Sequence, residues 1–392
     1  MSSCARGARD REERTALQFL IQMIGTVSAP QLAKASQQQQ KRPRKGSSPP
    51  RPMLCRATLL LACATHAIAE EAPTAAARIF VIGGSDPQKL PAGKVAAFSE
   101  DVGVNGSWAP AAAMGSQRDE GRAASLGGYI YHVGGANRDD YPYLNSTLRY
   151  SPSTDSWSRM AGIPFPVTDP TDAPDGSGIA SHSVVALGGY IYSIGGTNGT
   201  GSLASTWRYD PKADSWQQMA SMKFGRCYVA AAVLGRKIYA VGGSLTPAGP
   251  GGPGGGPGAL SSVEVYDPAS DSWRLSKSTT VVARSSHALG VVNGVLFAFG
   301  GEDGGRSSIS FDSAERYDPA ADKWSLVSPM SLPRSQASAA VVGGHLLAVG
   351  GYNDLTDVGW TSTVERYDPE ADSWTFVASF PLERQYPTTA VL

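Results

Sequence analysis

The sequence is poor in cysteine. Of 4 cysteines in 392 residues, Cys4, Cys55 and Cys63 precede residue 78 and only Cys227 follows it. No disulfide framework can therefore form in the body of the chain, and no Cys/His cluster of metal-binding spacing is present, so no cofactor is expected. Charge is sparse as well, at 17% Asp, Glu, Lys and Arg with a formal net of zero. That zero conceals an asymmetry: residues 1–77 hold 11 basic against 5 acidic side chains, a net of +6, and residues 78–392 hold 23 against 29, a net of −6. An acidic body argues against nucleic acid as the main partner. Apolar runs are short too; the stretch from Ala57 to Ala64 is too brief and too interrupted for a stable membrane span. Glycine and proline, by contrast, are plentiful at 45 and 27, which suits a turn-rich all-β protein.

Residues 1–77 read as a disordered or targeting segment. They lack apolar periodicity over 1–52 and carry the run Gln37 to Gln40, the basic run Lys41 to Lys45 and a proline cluster. From Met53 the pattern changes: Arg56, the apolar stretch from Ala57, then Ala67-Ile68-Ala69 ahead of Glu70. A basic residue, an apolar core and small-x-small form a secretory signal pattern over 53–69, with Met1 or Met53 as the start. Cytoplasmic and organellar locations are the alternatives. Three of six asparagines, Asn105, Asn145 and Asn198, open N-x-Ser/Thr sequons and are candidate glycosylation sites; ordinary polar turns are the alternative reading of the same residues.

The body is a repeat. A double glycine closes six apolar stretches: RIFVIGG (78–84), YIYHVGG (129–135), YIYSIGG (190–196), KIYAVGG (237–243), VLFAFGG (295–301) and HLLAVGG (345–351). A second signature follows five of them, with Tyr150, Tyr209, Tyr266, Tyr317 and Tyr367 each seven residues before a tryptophan. In the first unit it degenerates to Phe98 and Trp108. The glycines permit positive φ and close approach where a strand meets its neighbour, and Tyr-Asp-Pro ends a strand and opens a turn. Each unit therefore reads as four antiparallel strands, a to d: the apolar run after Arg226, the IYAVGG strand, the VEVY strand and the strand beginning at tryptophan.

Double glycine, tyrosine and tryptophan in this order, six times over 78–392, resemble the kelch repeat. The resemblance implies a six-bladed kelch β-propeller, each repeat a four-stranded blade around a central channel. The first unit has no strand a of its own, and RQYPTTAVL (384–392) matches RCYVAAAVL (226–234). The chain is therefore expected to close into a ring by pairing 385–392 with 78–83, which removes a free edge.

In such a meander the b–c and d–a loops emerge at one end. The a–b and c–d turns are short and uniform, while the irregular lengths, over 86–94, 161–181, 244–262 and 352–363, lie on the b–c/d–a face. Uniform scaffold with diverse loops at one end marks that face as the binding surface. Twelve residues before the aliphatic residue of each strand b stand Arg118, Arg226, Arg284 and Arg334, with Arg384 equivalent in the closing strand and Ile179 in the third unit. Five guanidiniums at a channel mouth favour an anionic ligand, and the resemblance implies contact with acidic peptides; pairing with Glu264, Glu315 or Glu365 is the competing role. Tyr352 and Trp360 are further ligand-binding candidates on the same face. The histidines and Cys227 read as packed.

The favoured function is a non-catalytic module recognising a protein or glycan ligand through this face, in the secretory pathway. The alternative is a secreted kelch-propeller enzyme acting on a sugar, mutarotase- or oxidase-like; in the mutarotase-like case Arg226 with Glu302, Asp303 or Glu383 supplies the site. A ubiquitin-ligase adaptor is not expected, because 1–77 is too short for a BTB region and lacks the helical pattern of an F-box.

Overall fold

The computed structural model describes residues 77–84, 95–99, 107–115, 118–136, 143–165, 178–245, 258–304, 309–354, 359–377, 379–380 and 386–392. The signal-like stretch 53–69, Asn105, Glu383, Arg384 and much of the irregular loops lie outside them. Within them every regular element is a strand, and the strands form six four-stranded antiparallel sheets. One sheet shows the plan: strand a is Ala230–Leu234, b is Lys237–Val241, c is Val263–Asp267 and d is Ser272–Leu275, hydrogen-bonded in that order. In the first sheet Thr388–Val391 takes the a position beside Arg78–Ile82, with Ile79 opposite Val391 and Ile82 opposite Thr388.

The six a strands contact one another in turn, and Thr388–Val391 lies between Ser338–Val342 and Arg122–Leu126. The architecture is that of an all-β propeller. Its core lies between sheets: Val185, Tyr192 and Ile194 of the third sheet pack with Val229, Ile238 and Tyr266 of the fourth. Strands b alternate little because both of their faces are covered, and Ile238, Ala240 and Val241 are fully buried.

Two devices join neighbouring sheets. At the channel end, the first glycine of five pairs (Gly83, Gly134, Gly195, Gly242 and Gly300) passes under the next sheet. Gly195 has φ +65°, and a Cβ there would stand 2.6 Å from the carbonyl oxygen of Arg226, so no other residue fits. Gly196 then donates its N–H to that same carbonyl at 2.7 Å.

At the outer end, aspartate and tryptophan hold one residue of the preceding sheet by both backbone groups. Asp214 Oδ1 accepts the Ala161 N–H at 2.9 Å, and Trp216 Nε1 donates to the Ala161 carbonyl at 2.9 Å. Tyr209 OH donates to the same Oδ1 at 2.6 Å, which holds the Asp214 carboxyl below its usual range. The clamp recurs with Asp155 and Trp157 on Ala112, Asp271 and Trp273 on Ala220, and Asp372 and Trp374 on Ser328.

Candidate functional site

Among the described residues, five of the six sheets extend beyond their regular strands by isolated bridges on the b–c/d–a face. In the sixth sheet Ser335 pairs with Tyr352 and Tyr352 with Trp360; the fifth offers Ser285, Glu302 and Ser310, and the second Asp119, Ala136 and Tyr143. Tyr352 and Trp360 are half-buried and meet edge to face, ring centroids 6.0 Å apart at 90°. The backbone positions repeat from sheet to sheet while the residues on them do not.

The arginines require a correction. Arg226, Arg284 and Arg334 are fully buried, each inside its own sheet. Arg226 uses all five donors: Nε and Nη2 bond Glu264 Oε1 at 3.2 and 3.1 Å, Nη1 bonds the carbonyls of Gly242 and Ser262 at 2.8 and 2.9 Å, and Nη2 also bonds Ser262 Oγ at 2.8 Å. Arg284 pairs with Glu315 through Nη2 at 2.9 Å and Nε at 3.0 Å, and Arg334 with Glu365 through Nη2 alone at 2.7 Å. Each glutamate also accepts backbone N–H groups from the incoming d–a loop, as Glu264 does from Lys223 at 2.7 Å and Phe224 at 3.3 Å.

The pairing therefore ties the d–a loop to the b–c loop. Desolvation lowers the pKa of all three guanidiniums, and the paired carboxylate opposes the shift. Where the partner glutamate is replaced by Leu148, Arg118 bonds Gly134 and Ser146 and is equally buried. In the third sheet both members change together, to Ile179 and Trp207, which share one apolar cluster. Arg118, Arg226, Arg284 and Arg334 thus brace the sheets in which they are buried. By the same contacts, Arg226 is committed to Glu264 and makes no site with Glu302 or Asp303.

The ring facing the channel mouth lies two residues further along. Glu120, Ser181, Tyr228, Ser286, Gln336 and Tyr386 all adopt φ between 52° and 59°. Their backbones link sheet to sheet: Ser181 N–H to the Glu120 carbonyl at 3.1 Å, Tyr228 to Ser181 at 2.8 Å, Ser286 to Tyr228 at 3.1 Å and Gln336 to Ser286 at 2.7 Å. Left-handed backbone at a non-glycine residue is strained and concentrates at functional positions. Tyr228 and Tyr386 stack at 6.2 Å and 25°. The Glu120 carboxylate accepts the Ser181 hydroxyl, and Glu302 Oε1 accepts that of Ser286 at 2.8 Å.

Desolvation raises the Glu302 pKa, and Asp303 and Asp354 add to the shift. Phenol ionisation is pushed up at Tyr228, chiefly by Glu120, and at Tyr386, chiefly by burial. The rim is thus acidic and phenolic. Below it, the channel cavity is lined by Arg122, Ser183, Tyr228, Ser338 and Thr388 among others. Sequence reading missed this ring and Arg122, and it missed the clamp aspartates, which precede Trp by two residues in five of the six units.

The remaining candidates have local roles. Asn198 Oδ1 accepts the Thr200 N–H at 3.1 Å and its hydroxyl at 2.7 Å, and the Asn145 carbonyl accepts the Ile163 N–H at 2.9 Å. Cys227 is buried with Sγ 3.2 Å from Ser244 Oγ. Among the described residues no three His, Cys, Asp or Glu side chains converge in metal-binding geometry, and no helix is long and apolar enough to cross a membrane.

Comparison with known proteins adds the family. The Kelch motif model matches residues 118–164, 179–223, 225–278, 283–331 and 333–381. The chain is 27% identical to Kelch-like protein 23 of Mus musculus over 54% of its own length and 33% of the relative's. It is 26% identical to Kelch-like protein terF of Aspergillus terreus over 65% and 54%, and 28% identical to Kelch repeat and BTB domain-containing protein 12 of Danio rerio over 60% and 38%. It thus spans a third to about half of these relatives. The solved structure of YjhT superposes with a TM-score of 0.59 at 15% identity, covering 73% of this chain and 91% of that one, a likeness of fold.

Proposed function

Because this chain belongs to the kelch-repeat family, we propose that it is a non-catalytic interaction scaffold. It is read as a six-bladed disc, closed by Thr388–Val391, that docks a protein partner on its b–c/d–a face. One observation carries this reading: identical backbone positions around the face bear different side chains, from Tyr352 and Trp360 to Glu302 and Tyr143. A constant frame under variable residues is how rigid scaffolds present binding surfaces, and half-buried aromatics are the residues that anchor partners. The kelch-like names of the relatives support a protein partner.

The chemistry of the rim refines the partner. With Arg118, Arg226, Arg284 and Arg334 buried, Glu120, Glu302, Asp303 and Asp354 set its field, so a basic or neutral protein surface suits it better than an acidic peptide. The test is proximity labelling in cells by wild-type chain, by Tyr352→Ala/Trp360→Ala, and by Arg236→Ala on the exposed a–b turn. The scaffold reading expects a discrete partner set, depleted severalfold by the first variant and unchanged by the second. An identical partner set for all three would contradict it.

A secretory-pathway location belongs to the same proposal, supported by the signal-like 53–69 and the three sequons. Glycosidase treatment of chain expressed in secreting cells should then lower its mass, and an unchanged mass in the cytosolic fraction would refute the location.

A further inference from the structure

The six inner strands begin in register. Arg122, Ser183, Ala230, Ala288, Ser338 and Thr388 each stand opposite the last residue of the adjoining b strand. Five of the six are small. Arg122 alone carries a long charged side chain, and it lines the cavity left in the channel, a space of about 570 Å³ including its open end.

The neighbouring hydroxyls are already engaged. Ser183 Oγ accepts the Ala231 N–H at 2.9 Å, Thr388 Oγ1 accepts the Ala123 N–H at 3.0 Å, and Ser338 Oγ bonds Thr389 Oγ1 at 2.8 Å. Arg122 is not engaged to the same degree. Its guanidinium donates from Nη1 to the Gly121 carbonyl at 3.2 Å, and among the described residues no carboxylate lies within ion-pair distance of it. The contrast with Arg226, whose five donors are all used, is direct.

Burial lowers the Arg122 pKa against the opposing field of Glu120, yet an arginine remains charged. A half-desolvated guanidinium with donors to spare gains most from a bidentate carboxylate. Glu120, two residues earlier, bounds that guest: its negative field is felt at both Tyr228 and Tyr386 and disfavours a second negative charge. The stacked tyrosines offer an apolar wall beside it.

We infer that the channel is a binding site for a single carboxylate, anchored by Arg122 and entered past Tyr228 and Tyr386. The carboxylate belongs either to a small organic acid or to an acidic side chain reaching in from a partner.

Calorimetric titration of the full chain with propionate, succinate and inorganic phosphate tests this. Propionate should saturate one site, with the two multiply charged probes weaker. Arg122→Met should weaken propionate at least tenfold, the loss of one charge-assisted interaction of about 1.4 kcal/mol or more. Arg122→Lys should fall between, and Arg236→Met should match wild type. Unfolding midpoints equal to wild type identify variants that fold. A capped peptide with one internal glutamate separates the sources: binding as tight as propionate assigns the site to a partner's side chain, and binding of propionate alone assigns it to a small acid. Absence of saturable propionate binding, or unchanged binding by either folded Arg122 variant, would overturn the inference.

Discussion

Three histidines are buried as neutral rings: His132, His182 and His287. Burial is the main cause, holding His182 and His287 at about 3 and His132 well below its ordinary 6.5, with Arg118 adding to the effect at His132 and Arg284 at His287. The folded state therefore binds fewer protons than the unfolded chain between about pH 6.5 and pH 3. Stability is full above the unfolded value and is lost as pH falls below it, by up to about 1.4 kcal/mol per unit for each ring. Urea unfolding at pH 7.5 and 5.0 should show this loss, and His287→Leu should make it smaller by about 2 kcal/mol. A pH slope unchanged by His287→Leu would contradict the neutral assignment. Packed histidines were legible in the sequence from their places in the repeat; that the rings of His132 and His287 lack a polar partner was not.

At the scale of the element, the arginine–glutamate pair is the instructive case. Removing one member of a buried pair leaves an uncompensated charge and costs about 3–5 kcal/mol. Arg226→Met alone should destabilise by that order, whereas Arg226→Met/Glu264→Leu should recover at least half of the loss. The third sheet already uses Ile179 with Trp207 at these two positions. Equal destabilisation of the single and double variants in denaturant titrations would refute the argument.

The same element shows where sequence reading stops. Strand order, the double glycines and the Tyr–Trp spacing were legible because they recur at fixed intervals. The side of the chain on which each arginine lies was not. Between Arg226 and the strand stands Tyr228 with φ 52°, and a left-handed turn at a non-glycine residue leaves no mark in composition. It directs the −12 residue into the sheet and the following residues to the mouth. Arg122 was hidden for a simpler reason: arginine occurs at that register in one unit of six.

On the scale of the whole molecule, the proposed closed disc presents a rigid face only through the pairing of Thr388–Val391 with Ile79–Ile82. That pairing places residues more than 300 positions apart in one sheet, and the cross-strand bonds Ala123 N–H to Thr388 Oγ1 at 3.0 Å and Thr389 N–H to Ser338 Oγ at 3.0 Å extend it to both flanking sheets. Sequence reading could propose it from the likeness of 384–392 to 226–234 alone. Amide hydrogen exchange of the intact chain tests it most directly. If the ring is closed, Thr389 to Val391 and Phe80 to Ile82 exchange together, as slowly as the inner strands Ala230–Leu234 and Ala288–Val292. Exchange of 389–391 at the rate of an unstructured terminus, with the other inner strands still protected, would contradict the closed disc.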